Sequence, residues 1–226
     1  EQTPVLLKQA CIEFKALNNW KDFDYMLQAV GPDHPCEVEL GAYNSGERLT
    51  LTFSQYIDYL KLWISMTEKG EAIPDDQILY MAQNDLPAGL LDDIEIPAAC
   101  QDDSLGAGKL YNTMLWMGPA STVSPLHFDP LDNFLMQITG SKSVWLLPRS
   151  VDSTCLYSGQ SHQEQSNTSA VDVRKPDLEK YPLFAKIQDE IVTCHLEPGD
   201  MLYIPAKWWH AVQSNEMSIS VNAWWR

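Results

Sequence analysis

From Lys109 to its end the chain is cut into short runs of β-branched and aromatic residues separated by turn signals, and few folds accommodate that rhythm. The runs are Tyr111 to Met117, Asn133 to Ile138, Ser143 to Leu147, Ile191 to Leu196, Met201 to Ile204 and Met217 to Trp224. Such residues suit a pleated, half-buried surface, and none of the runs is long enough for a typical helix. Thr139-Gly-Ser-Lys142 reads as a tight hairpin, and Glu197-Pro-Gly-Asp200 puts proline and glycine at the central positions of a type II turn. Many short strands with turns of this kind predict a barrel or jelly roll.

The first hundred residues read differently, as an α/β lead-in. Trp20, Phe23, Leu27 and Val30 recur at helical spacing between Asn18 and Gly31, where Gly31-Pro32 stops the helix. Cys36 to Leu40 and Ile78 to Met81 read as short strands. Between them Thr52-Phe-Ser-Gln55 is a capping box, followed by Phe53, Tyr56, Leu60, Trp63 and Ile64 on one helical stripe. Asp85 to Leu105 reads as a surface connection, and Ser150 to Val173 as a polar insertion between strands near the mouth of the barrel.

At 226 residues and 45% hydrophobic, the chain can bury one sizeable core, so a single domain is expected over 1–226. Fifteen Lys and Arg against thirty-one Asp and Glu give a net charge of −16. That acidity opposes nucleic acid and anionic lipid and suits either a basic protein or peptide partner or simple solubility. The five cysteines form no Cys-x-x-Cys pair and no disulfide framework, so a reducing compartment is expected. With no leader and no apolar run long enough to span a bilayer, the expected location is intracellular, nuclear or cytoplasmic.

His127-Phe-Asp129 carries the chemistry. On an extended segment, residues two apart point to one side, so His127 and Asp129 can grip one ion while Phe128 faces away. His210, far along the chain in Pro198-Gly-Asp-Met-Leu-Tyr-Ile-Pro-Ala-Lys-Trp-Trp-His, supplies a third ligand. Two imidazoles and one carboxylate on one face of an octahedron leave the opposite positions open, the arrangement of non-haem Fe(II) oxygenases. Such a triad should be reachable by solvent, so His210→Ala is expected to abolish turnover with little change in fold.

The run Ser124-Pro-Leu-His-Phe-Asp-Pro, with Asn133-Phe-Leu-Met-Gln, Gly140-Ser-Lys142 and Asn167-Thr-Ser-Ala-Val-Asp-Val, resembles the Jumonji-C oxygenases of the cupin superfamily. The similarity is greatest to the branch containing Jumonji-domain protein five. Pro176-Asp-Leu-Glu-Lys-Tyr-Pro-Leu-Phe-Ala-Lys186 matches that branch too, and part of it is shared with the wybutosine-tRNA hydroxylase. The resemblance implies a double-stranded β-helix, cupin-like and mainly β, with 1–108 as lead-in and 109–226 as jelly-roll core. It implies Fe(II) on His127, Asp129 and His210, with 2-oxoglutarate as cofactor and O2 as co-substrate. By the same resemblance Lys142 pairs with the far carboxylate of 2-oxoglutarate, Tyr80 offers its hydroxyl to that carboxylate, Ser124 and Asn133 line the pocket, and Trp116 walls it.

Each of these has a plainer reading. Lys142 can be a solvated hairpin residue, Tyr80 and Trp116 core aromatics, and Asn222 either an inward polar group or a partner for a neighbouring strand. Trp208, Trp209, Trp224 and Trp225 read as packing rather than as a cage for a methylated amine. His34, His162 and His195 have no ligand partner at useful spacing. The expected activity is hydroxylation of a protein side chain, arginine by resemblance. Demethylation of histone methyl-lysine, hydroxylation of tRNA, and a non-catalytic cupin that only binds a ligand are the alternatives.

Overall fold

The computed structural model describes residues 2–41, 47–71, 73–101, 108–157 and 167–226. Twelve strands among them fall into two antiparallel sheets. Their ranges are β1 Val5–Leu7, β2 Pro35–Leu40, β3 Arg48–Thr52, β4 Leu79–Asp85, β5 Leu110–Gly118, β6 Val123–Phe128, β7 Asp132–Thr139, β8 Lys142–Leu147, β9 Val192–Leu196, β10 Met201–Ile204, β11 Trp209–Ser214 and β12 Ser218–Trp225. The larger sheet runs β1-β10-β7-β12-β5-β4-β2-β3 and the smaller β6-β11-β8-β9. From β5 onward the chain passes repeatedly between sheets, so that β5, β7, β10 and β12 oppose β6, β8, β9 and β11. This is the jelly roll expected of a mainly β chain, with helices on its outer side.

Alternation along the central strands decides which side chains face the space between the sheets. On β12, Ile219, Val221, Ala223 and Trp225 lie in an apolar core shared with the helices, whereas Ser220 meets Lys142 and Asn222 and Trp224 line the inner cavity. Phe134, Met136 and Ile138 of β7 join the same outer core while Asn133 and Leu135 turn inward. A period of two therefore divides packing from chemistry on one strand.

The lead-in contributes strands as well as helices. The helices are α1 Ala16–Asn19, α2 Phe23–Val30 and α3 Phe53–Glu68. The single helix expected up to Gly31 is broken at Trp20 to Asp22, because Asp22 caps α2 by accepting from the amides of Asp24 and Tyr25. The capping box forms as read, Thr52 and Gln55 bonding reciprocally at the start of α3. Tyr56, Ile57 and Leu60 of α3 are fully buried against the larger sheet's outer core.

Three connections differ from what the sequence suggests. Thr139-Gly-Ser-Lys142 is no hairpin, since β7 and β8 lie in different sheets and share no ladder. Gly140 makes the crossing at φ +64°, with its carbonyl and that of Thr139 accepting from the Gln137 amide. The stretch after Asp85 is not merely surface, because Leu90, Asp93 and Cys100 are buried and the Asp93 carboxylate accepts from Asn19, Trp20 and Tyr25. Likewise Val151, Cys155, Leu156, Tyr157, Val171 and Val173 of the supposed polar insertion form a second core cluster. The Glu197–Asp200 turn closes as read, with Gly199 at φ +93° and Asp200 N–H donating to Glu197 O at 3.0 Å. All five cysteines are free thiols. Among the described residues, no helix is long and apolar enough to cross a membrane.

Candidate metal centre

β6 and β11 pair antiparallel with His127 directly opposite His210, and this register brings together ligands remote in sequence. The two imidazole centroids stand 4.3 Å apart. Asp129, the second residue after His127, follows the end of β6, and its Oδ2 lies 3.7 Å from His210 Nε2. One donor atom from each of the three side chains falls within 4.8 Å of the others, a spacing suited to a single ion.

Backbone carbonyls fix the tautomers. His127 Nδ1 lies 2.7 Å from Pro125 O and His210 Nδ1 lies 3.0 Å from Trp208 O. A carbonyl can only accept, so each Nδ1 carries a proton, which in the neutral ring leaves the Nε2 lone pair for a metal. The Asp129 Oδ2 in turn accepts from the Trp224 indole N–H at 3.1 Å. His210 is 4% exposed, not open to solvent as expected. Burial, with His127 adding to it and Asp129 opposing, draws its pKa down to about 4, so it is neutral and able to ligate at ordinary pH.

A β-bulge shapes the strand that carries His127. His127 pairs with His210 and Ser124 with Val212, so Pro125 and Leu126 together stand opposite the single Ala211. Residues three apart would otherwise point to opposite faces. The extra residue returns both Ser124 and His127 to the inner cavity, and it aims the Pro125 carbonyl at the imidazole. β6 is an edge strand, where a proline is tolerated.

The inner cavity contains all eight of the residues singled out from sequence. His127, Asp129, His210, Lys142, Tyr80, Ser124, Asn133 and Trp116 line it, joined by Leu135, Ile204, Val212, Asn222 and Trp224. Its free volume is about 30 Å³, narrowed by Lys142, whose Nζ reaches Ser220 Oγ at 2.7 Å. Lys142 is 2% exposed, and among the described residues no carboxylate forms an ion pair with it. Burial alone pulls its pKa down to about 7. A lysine held in this way is the opposite of a solvated turn residue, and an anion entering the cavity would supply its missing partner. Asn222 projects inward and donates from Nδ2 to Asn133 Oδ1 at 2.7 Å, leaving the Asn133 amide hydrogens for the cavity.

Trp224 packs as expected of the terminal tryptophans, and it also lines the inner cavity. It joins Tyr80 and Trp116 in an aromatic cluster above Asp129, its ring 6.5 Å from that of Trp116. Trp208, Trp209 and Trp225 lie in the other apolar clusters. The signal for Trp224 was the alternation of β12, since it shares the face of Ser220 and Asn222. His195 bonds Ser143 through Nδ1, and His162 falls outside the described residues. A larger cleft of about 540 Å³ shares Tyr80 with the cavity but contains none of the three candidate ligands.

Over residues 1–226 the chain matches the family model described as a cupin-like domain. It is 36% identical over 225 residues to Jumonji C domain-containing protein 5 from Drosophila melanogaster, covering 98% of this chain and 54% of that protein. It is 35% identical over 229 residues to lysine-specific demethylase JMJ30 from Arabidopsis thaliana, covering 99% of this chain and 50% of the other. A match to tRNA wybutosine-synthesizing protein 5 from Gallus gallus, 37% identical over 138 residues, covers 61% of this chain and 39% of that protein. The chain spans about half the length of the curated relatives it matches most fully.

Proposed function

The chain belongs to the cupin-like domain family in its Jumonji-C form, and from that premise we propose that it is an Fe(II)- and 2-oxoglutarate-dependent dioxygenase that hydroxylates a protein side chain, arginine first among candidates. The observation that carries this reading is the pairing, on one cavity, of a two-histidine, one-carboxylate donor set with a buried lysine that has no carboxylate partner among the described residues. His127, Asp129 and His210 would hold Fe(II). Lys142 would hold the far carboxylate of 2-oxoglutarate, with Tyr80, Ser124, Asn133 and Trp116 lining its site. Bound there, Fe(II) with 2-oxoglutarate and O2 would supply the oxidation, adding one oxygen to a substrate C–H bond and leaving succinate and CO2.

The protein's own part is arrangement. The Pro125 and Trp208 carbonyls hold both imidazole rings turned toward the site, so the ligands need little reorganisation when an ion arrives. Tyr80, Trp116 and Trp224 form an apolar wall that would limit the access of water to a substrate bound there. The Asn133 amide, polarised by Asn222, offers donors to a carboxylate. A net charge of −16 favours the approach of a cationic side chain such as arginine.

Demethylation of methyl-lysine is the second reading, favoured by the name of the Arabidopsis relative. It differs only in which carbon is presented, because hydroxylation on an N-methyl group collapses to amine and formaldehyde. Acidity weighs against a tRNA substrate, and the triad with Lys142 weighs against a cupin that only binds. Arginine peptides and methyl-lysine peptides, incubated with the protein, Fe(II), 2-oxoglutarate and O2, separate these readings by mass spectrometry. Gain of one oxygen on arginine, lost in His210→Ala, is the expected result. Formaldehyde with loss of a methylene from lysine would replace hydroxylation by demethylation, and no succinate with either peptide would leave only binding.

A further inference from the structure

We propose that Trp224 is a positioning residue that holds the Asp129 carboxylate in the orientation needed to ligate the metal. The inference rests on the metal-binding reading above and adds to it a residue outside the triad. Its indole Nε1 donates to Asp129 Oδ2 at 3.1 Å, and that same oxygen is the one facing His210 Nε2 at 3.7 Å.

The two histidines each have a backbone carbonyl to fix their rings, but a carboxylate on a short side chain just past a strand end has no such carbonyl to bond. Left alone, it turns about its terminal torsion, a soft and broad rotation. A donor on a rigid ring removes that freedom. Trp224 is 7% exposed and lies on β12 between β5 and β7, strands of the larger sheet, whereas Asp129 follows β6 of the smaller one. The bond therefore ties the two sheets together across the mouth of the cavity, and it locks the one ligand that would otherwise be free to swing. It also spends the indole N–H, which a buried tryptophan on an apolar wall would need to place somewhere. Partners of this kind commonly hold metal affinity through ligand orientation rather than through contact with the ion.

The test uses Mn(II) as probe, with affinity read from the electron paramagnetic resonance signal of the free ion, and Co(II) for its visible d–d absorption. Trp224→Phe keeps an aromatic ring and removes the donor. The neighbouring Trp225→Phe makes the same chemical change on the opposite face of β12, where Trp225 stacks on Phe134. Mn(II) affinity is expected to fall by about tenfold in Trp224→Phe, the scale of lost ligand-orienting partners, with an altered Co(II) spectrum. Trp225→Phe, by contrast, should bind Mn(II) as the parent does. Circular dichroism confirms that both variants are folded. Equal Mn(II) affinity and an unchanged Co(II) spectrum in folded Trp224→Phe, or an equal loss in Trp225→Phe, would overturn the positioning role while leaving the triad intact. Absence of Mn(II) binding in the parent protein would overturn the metal reading itself.

Discussion

Lys142 is an amine held almost wholly out of water, and its response to pH follows from that. Burial lowers its pKa from 10.5 to about 7 in the folded protein, while the unfolded chain keeps the ordinary value. Between those values the unfolded state binds more protons, so this residue makes stability rise with pH from about 7 to about 10.5 and adds no slope below that window. Lys142→Met should abolish that rise, as measured by denaturant melts at the two ends of the window. The proposed dianion requires the charged form, so 2-oxoglutarate affinity should weaken by up to about tenfold per pH unit above the lysine's pKa. The methionine variant should lose affinity by on the order of a hundredfold, because removing one partner of a buried charge pair costs about 2–5 kcal/mol. Isothermal titration of 2-oxoglutarate with Mn(II) present checks both expectations, and unchanged binding in Lys142→Met would place the diacid elsewhere.

Between elements, the weight falls on Asp132 at the start of β7. Its Oδ1 accepts from the Tyr203 hydroxyl at 2.9 Å and from the Ala206 amide at 3.0 Å, fastening the turn that leads from β10 into β11 and so to His210. Asp132→Ala should destabilise the fold by about 1–3 kcal/mol, the cost of leaving such partners unpaired, and should also weaken Mn(II) binding although Asp132 is not a proposed ligand. Urea denaturation and metal titration together check this, since lost stability with unchanged metal affinity would separate the turn from the site. Strands such as β5, β7, β8, β10 and β12 were legible because their apolar and β-branched runs are continuous. β6 was legible only as an extended segment around His127, because Pro125 and a bulge interrupt its alternation. β11 begins in Trp209-His-Ala, which has no strand pattern of its own, and takes its form from pairing with β6 and β8. The α3 capping box could be read locally because both its partners lie within one turn, whereas the sheet crossing at Gly140 depends on where β8 finds its neighbours.

For the molecule as a whole, the lead-in and the barrel share one sheet and one core. β4 pairs with β5 and β1 with β10, and residues of α3 share one apolar core with the outer faces of β7 and β12. We therefore expect residues 109–226 alone to lack a cooperative thermal transition, because removing 1–108 would expose Leu115, Met117, Met136, Ile138 and Val221. A sharp melt with native near-ultraviolet circular dichroism for that fragment would show instead that the jelly roll is independent. The proposed triad was legible from sequence because its ligand spacing is local on one strand and motif-bound on the other. The register that sets His210 against His127, and the inward turn of Trp224, depend on long-range pairing that no local pattern contains.

The most direct measurement is a crystal structure of the protein with Mn(II) and 2-oxoglutarate, the ion located by its anomalous scattering. One peak is expected, bound by His127 Nε2, His210 Nε2 and a single Asp129 oxygen, with the diacid reaching from that ion to Lys142 Nζ. A peak bound by other side chains, or a diacid that leaves Lys142 on Ser220, would contradict this expectation.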